Sequence, residues 1–340
     1  MTTDPMLHPE EVEGAPRPPR RWVQWTMYGL GLTLLAGCIW IGFGELQAGW
    51  VKLRHAAGSD IALMIAMLVA NILLDGWVFW AVLVPFRPDK PVKLREMTAL
   101  IAATSLLNYL PMRAGMIGRA AYLKQRHGVG YRASVVMLLA VAAATMAIYL
   151  LLLALTLSVR RMDALWWSGA VAGLGLIAWL SVEVLRHGRR WVPRGVLRYF
   201  DDAQTAIDWL ERRRISGLLW VWATFGARAL GIGARAVLLW TAARVLESPM
   251  ALEAALLVAM AGTFVTLATP LPNGLGLREG IYGLLAAAGV AGAALPDGPT
   301  GVALGLVERA LEAAVFIAAG TVGLLYVHRL SRSRRQGDSP

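Results

Sequence analysis

The 340-residue sequence has one cysteine, Cys38, and four lysines, Lys52, Lys90, Lys93 and Lys124. A single thiol excludes a disulfide framework and any Cys-rich metal or iron–sulfur site. None of the lysines follows a glycine, as a phosphate-binding P-loop requires, so no ATP motor is encoded in these residues. His8, His55, His127, His187 and His328 fall in loops or at span ends. No H-E-x-x-H or G-x-S-x-G occurs, and no pair of acids has a metal-binding spacing, so no catalytic residue, metal or cofactor is expected. Charge is also scarce, at 16% of residues against about 25% in an average soluble domain.

Apolar sequence is abundant instead, at 57%, and it comes in long blocks. Blocks at 22–43, 61–85, 133–159, 164–182, 215–246 and 300–327 are each long enough to cross a hydrocarbon core of about 30 Å. Two further apolar regions fit less well. The stretch 97–111 is too short, and 250–296 is broken by Pro270, Pro272, Gly274 and Gly276. The expected fold is an all-α polytopic membrane protein with six full spans and two broken or re-entrant regions, about eight transmembrane helices in all.

The net charge of +11 reads as a topology signal rather than as a nucleic-acid footprint. Assigning both termini to the cytoplasm places 24 Lys and Arg in inside segments and 4 in outside segments. That assignment requires 97–111 to enter and leave from inside, and 250–270 with 280–296 to enter and leave from outside. Non-helical backbone at membrane depth is tolerated only where protein or a watery cavity satisfies it, so the breaks point to an internal cavity. Residues 1–21, with five prolines, read as a disordered cytoplasmic tail, and 329–340 as a basic one. Within a cytoplasmic segment over 186–214, Leu197, Phe200, Ile207 and Leu210 recur at helical spacing, either as an interfacial amphipathic helix or as a solvated linker helix. Leu35-Ala36-Gly37-Cys38 matches a lipoprotein cleavage box, yet the apolar block continues through Ile39, Trp40 and Ile41, which favours a buried small-residue helix face.

The two broken regions resemble each other. Leu110-Pro111-Met112-Arg113-Ala114-Gly115 aligns with Leu271-Pro272-Asn273-Gly274-Leu275-Gly276, and Arg119 and Arg278 follow. Opposite entry sides would make these an inverted repeat, with a first copy over about 61–159 and a second over about 215–328. Asn108 through Gly115 with Arg119 is similar to the N-x-x-P-x-R-x-G-x-x-x-R pattern of the lysylphosphatidylglycerol synthase transmembrane, or flippase-like, family. Thr269 through Glu279 resembles that family's P-x-x-x-G-G-L-G-x-R-E segment, and Glu308-Arg309 resembles a charged pair in its last long helix. The resemblance covers about 22–328 as a single transmembrane domain. It implies a bacterial inner-membrane protein that moves a lipid between leaflets. Some members carry a soluble aminoacyl-transferase domain that makes the lipid. These residues have no such domain, so synthase activity is not expected here, and a separate lipid-synthesising enzyme is a possible partner. The chain departs from the family in the apolar run Met137 to Val141 and in Asn273, where glycine is usual.

Ionisable groups in hydrocarbon cost at least about 2.5–3.5 kcal/mol by insertion scales, so each needs a partner or a purpose. The candidates are Asp75, Arg228, Arg235, Arg278, Glu279, Glu308, Arg309 and Glu312. Arg228 and Arg235 share a helix face, as do Glu308 and Glu312. A guanidinium fork matches a phosphate, whereas an arginine–glutamate network would fix helix packing; both readings stand on the sequence. Arg278 and Glu279 follow a glycine break at a helix start that favours an anion. Arg113 and Arg119 are placed at the cytoplasmic mouth, and Pro111, Gly115, Pro272, Gly274 and Gly276 mark the re-entrant breaks. Asn71 and Asp75, four residues apart, give a weaker cavity signal, with Asp75 alternatively a proton-coupling group. Three functions compete. The first is a lipid translocase whose arginines hold an anionic headgroup while Glu279, Glu308 and Glu312 tune or release it. The others are an intramembrane enzyme acting on a lipid-linked substrate, and a non-transporting partner subunit.

Overall fold

Gly58–Leu83 carries apolar residues almost without interruption, with Asp60 in its first turn where an acid suits the helix dipole, and it ends at Pro85. It is the third of ten helices among the described residues of a computed structural model. That model describes residues 21–41, 43–86, 91–109, 114–159, 194–248, 250–269, 271–289 and 297–337. In chain order the helices are α1 Arg21–Ile41, α2 Phe43–His55, α3 Gly58–Leu83, α4 Leu94–Leu107 and α5 Ala114–His127. They continue with α6 Tyr131–Val159, α7 Arg194–Val245, α8 Leu252–Ala268, α9 Leu277–Ala287 and α10 Gly298–Gly337.

Among the described residues, three stretches are long and apolar enough to cross a membrane: Gly58–Phe86, Tyr131–Leu152 and Gly298–Ser331. They coincide with the expected spans at 61–85, 133–159 and 300–327. Leu32–Ile41 within α1 and Leu252–Leu267 within α8 are shorter apolar segments. The expected span 215–246 lies inside α7, where Arg228, Arg235 and Arg244 dilute its apolar character, and 164–182 lies outside the described residues. At 52 residues α7 is about 78 Å long, more than twice a hydrocarbon core, so 196–214 and 215–246 form one rod that extends beyond the bilayer.

Both irregular regions are helix–break–helix units. The first runs α4, which ends in a turn at 108–109, and then α5 from Ala114. The second runs α8, a break containing the 3-10 turn Pro272–Gly274, then α9. These four helices have 14, 14, 17 and 11 residues, so even the longest spans only about 26 Å. Pro111 and Arg113 lie outside the described residues. Asn273 takes φ 48°, the left-handed region that asparagine enters more readily than other non-glycine residues.

The main core joins Met64, Leu68 and Ile72 of α3, Leu238, Leu239 and Ala242 of α7, Ala255 and Val258 of α8, Tyr282 of α9 and Leu304 of α10. A second cluster gathers Leu83, Met97, Leu100, Leu123 and Met137. Asp297 caps α10, its Oδ1 accepting from the backbone N–H of Thr300 at 2.9 Å. Helix α1 closes over the second break. Cys38 is buried there, its Sγ donating to the carbonyl of Gly276 at 3.2 Å and packing on Val302 and Leu306. Cys38 is the buried residue of that run; Ala36 and Gly37 are exposed and nothing lies within 4 Å of a Cβ at Gly37, so the expected small-residue face is not formed there.

Gly276 has φ 77°, and a Cβ there would lie 2.5 Å from Leu34 Cβ and 2.6 Å from the backbone N of Leu35. Gly276→Ala therefore combines left-handed strain with a clash against backbone. We expect it to destabilise the protein by about 2–4 kcal/mol, read as a fall in the midpoint of thermal unfolding in detergent. An unchanged midpoint would mean that α1 does not press on the break.

Candidate functional site

A cavity of about 200 Å³ lies where α3, α4, α5, α6, α7, α8 and α10 converge. Its polar wall includes Asn71 and Asp75 from α3, Arg119 from α5, Arg228 and Arg235 from α7, and Glu312 from α10. The apolar departure noted in the sequence supplies the opposite character: Leu138 and Val141 of α6 face the same space.

Of the eight membrane charges singled out from the sequence, Asp75, Arg228, Arg235 and Glu312 line the cavity. The others form a layer behind it, with Arg278, Glu279 and Glu308 fully buried and Arg309 nearly so. Arg235 donates from Nε to Glu308 Oε1 at 2.8 Å and from Nη2 to Glu312 Oε1 at 3.0 Å. Arg278 approaches the same two acids from the other side, Nη2 lying 3.3 Å from Glu308 Oε2 and Nη1 2.9 Å from Glu312 Oε2. Two arginines thus bracket two glutamates that one turn of α10 sets side by side. The Tyr282 hydroxyl donates to Glu308 Oε2 at 2.9 Å. Arg309 donates to Glu279 Oε1 at 2.7 Å and to the carbonyl of Asn273 at 3.0 Å, tying α10 to the turn of the second break and to α9.

Arg228 is held separately, by Asp75 through a short ion pair and by Thr145 Oγ1, which accepts from its Nε at 2.8 Å. Arg228 and Arg235 share a face as expected, but each has its own partners. Glu308 and Glu312 serve Arg235 and not Arg228. Asn71 Nδ2 donates to the carbonyl of Gly231 at 3.1 Å, which fixes α3 against α7.

Four arginines therefore meet four carboxylates. Arg119 is the exception. Only 7% exposed, it lines the cavity with its guanidinium 3.9 Å above the centre of the Phe79 ring, and it has no carboxylate partner among the described residues. The sequence placed Arg119 with Arg113 at the cytoplasmic mouth; the structure places it in the cavity wall. Gly115, one turn earlier on α5, packs against the end of α4, where an added Cβ would fall 2.5 Å from Asn108 Oδ1. The Asn273 Nδ2, also on the cavity wall, is buried without a hydrogen-bond partner.

Sequence reasoning missed Thr145 and Tyr282 as partners of the charges. A lone hydroxyl in the apolar run around Thr145 was the available signal. It also passed over Glu96, which is buried at the start of α4 with Tyr122 Oη donating at 2.7 Å, His127 Nε2 at 2.9 Å and Arg126 Nε at 2.9 Å. Arg126 reaches on to the carbonyl of Leu330, so the cluster links α4 and α5 to the end of α10. Burial alone would raise the Glu96 pKa, but hydrogen bonds from His127 and Tyr122 and the charges of His127 and Arg126 hold it at about 2. A depressed carboxylate stabilises the fold above its unfolded pKa, near 4.3, and that contribution is lost as pH falls through about 2. Amide exchange in α4, α5 and the last turns of α10 should accelerate across that window in the wild type. In Glu96→Gln it should be faster throughout and flat with pH there; a steep acid response in that variant would assign the effect elsewhere.

These spans, the helical breaks and a charged cavity between helices define a multi-pass helical membrane protein with a polar interior. The chain belongs to the family described as the lysylphosphatidylglycerol synthase TM region, whose model matches residues 28–296. Glu308, Arg309 and Glu312 lie beyond the matched stretch, although they complete the network begun by Arg235, Arg278 and Glu279. Comparison with curated proteins and with solved structures returned no match. Membership links the chain to lipid handling.

Proposed function

We propose that this protein translocates a phospholipid, or another lipid with an anionic headgroup, between the leaflets of the bacterial inner membrane. Both termini are cytoplasmic in this reading, the two helix–break–helix units are an inverted pair around the cavity, and the chain supplies neither an ATPase nor a catalytic step. The lipid itself comes from a separate enzyme. The observation that carries the reading is Arg119, a buried cation on the cavity wall that forms no ion pair among the described residues; the acid whose charge reaches it, Asp75, is already paired with Arg228. With the other four arginines balanced by four carboxylates, the site holds one uncompensated positive charge. A monoanionic phosphodiester would neutralise it, with Asn273 Nδ2 as a further donor. Arg228, Arg235 and Glu312 supply a polar wall along which the headgroup passes, while acyl chains remain in the bilayer.

The test is leaflet exchange of fluorescent phosphatidylglycerol and phosphatidylcholine in proteoliposomes. Exchange above that of empty vesicles, faster for the anionic lipid, is the expected result. No acceleration for any lipid, with or without a proton gradient, would overturn the reading.

The ion pairing of each deeper charge favours a second reading, a non-transporting subunit whose charges only fix packing. It predicts that exchanging the Arg309–Glu279 pair, as Arg309→Glu with Glu279→Arg, restores whatever function either single change removes. The partner to swap is Glu279, because Arg309 bonds to it.

A further inference from the structure

On the outer side of the α3–α4 seam lies a groove of about 1120 Å³, distinct from the cavity. Helix periodicity separates the two: Asn71 and Asp75 of α3 and Thr104 and Ser105 of α4 face inward, while Val69, Leu73, Thr98 and Ala99 face the groove. The seam is tight, since a Cβ on Gly76 would lie 2.5 Å from Thr98 Oγ1. Helix α10 forms the third wall with Val322 and Gly323. The rim opens outward, with Leu73 55% and Val322 68% exposed.

The lining is alkyl along most of its length and charged only at one end. Lys93 and Arg95, where α4 begins, are its sole ionisable bases, both exposed and without a carboxylate partner among the described residues. Tyr326 reaches the same end, because α10 runs antiparallel to α4: Gly320 packs beside Leu106, and Gly323 packs nearer the start of α4, beside Ala99 and Ala103. From Lys93 to Ala102 the groove runs about 13 Å along α4. An apolar slot open to the bilayer, capped by two bases and a phenol at interface depth, has the polarity of one lipid molecule.

We propose that this groove binds an anionic phospholipid, one acyl chain lying between α3, α4 and α10 and the phosphate resting on Lys93 and Arg95. The site rests only on the chain being a membrane protein and not on its moving lipid. It is a static site outside the cavity, and bound lipid there would brace α4 against α10.

The experiment uses the full chain in phosphatidylcholine vesicles containing trace phosphatidylglycerol or phosphatidylcholine with a photoactivatable group in the acyl chain, and maps the labelled peptides. Phosphatidylglycerol should label the peptides carrying Val69, Leu73 and Val322 on the order of tenfold more than phosphatidylcholine does, as expected for two bases meeting a phosphate whose charge no choline cation cancels. Lys93→Gln with Arg95→Gln should remove the difference; both side chains are exposed, so the fold survives. Val322→Trp, which fills the groove from its rim, should remove groove labelling with the bases intact. Equal labelling by the two lipids, insensitivity to the double substitution, or labelling no stronger than at exposed Leu219 and Trp222 would overturn the proposal. Leaflet exchange is read in the same vesicles. Groove labelling without exchange leaves this site standing and removes the translocation reading; exchange without labelling does the reverse.

Discussion

Arg119→Met is expected to lower leaflet exchange of phosphatidylglycerol by about ten- to a hundredfold while leaving thermal stability unchanged or higher. The two directions have one cause. A guanidinium in a cavity wall without an ion pair among the described residues costs desolvation free energy that the charge of Asp75, shared with Arg228, offsets only in part, so an apolar side chain of similar length relieves the resting state. The same cation contributes about 1.5–3 kcal/mol per charge-assisted hydrogen bond once a phosphate arrives, and its loss falls on the passing lipid. Arg119→Lys should retain part of the activity, because charge remains and the planar fork does not. A residue that merely held α5 in place would show the opposite pattern, a lower unfolding temperature together with slower exchange. Exchange at the wild-type rate in a folded Arg119→Met protein would remove the headgroup site from this wall.

Glu308→Ala should have the largest effect on stability of any single substitution in the network. Its carboxylate is fully buried and accepts from Arg235 and Tyr282 while facing Arg278. Removing it leaves two buried guanidiniums sharing Glu312 alone, and breaking a buried ion pair in this way costs about 3–5 kcal/mol. The measurement is thermal unfolding in detergent, with Glu308→Gln as the near-isosteric comparison, which keeps hydrogen-bonding capacity and loses the charge. Combining Glu308→Ala with Arg278→Leu should recover part of the loss, since one uncompensated cation then goes with its partner. A change below about 1 kcal/mol in Glu308→Ala would mean that water reaches this layer and screens it.

The sequence carried the membrane architecture well because hydropathy is a local property. The apolar runs at 61–85, 133–159 and 300–327 each became a long helix, and prolines and glycines interrupted 250–296 at the place where α8 gives way to α9. The rule that buried charges need partners singled out eight residues, and all eight sit in or directly behind one cavity. Counting charges could not say which acid meets which base. Arg228 found Asp75, 153 positions away, and Arg309 found Glu279 rather than Glu312, its neighbour within the same turn of helix.

Arg119 marks the boundary most clearly. In sequence it is one base among several near the cytoplasmic side, and its positive-inside role is complete without a cavity. Its position facing Phe79 and the cavity depends on α5 folding back against α4, which the close approach at Gly115 permits. Sequence by itself determined a helical membrane protein, the places where its helices break, and a set of charges too costly to leave unpartnered in hydrocarbon. The tertiary structure decided which of those charges cancel, which one is left over, and which helix faces enclose polar space or meet lipid. The reason is physical: insertion free energy adds residue by residue along the chain, whereas electrostatic compensation depends on distances between helices that only the packed fold sets.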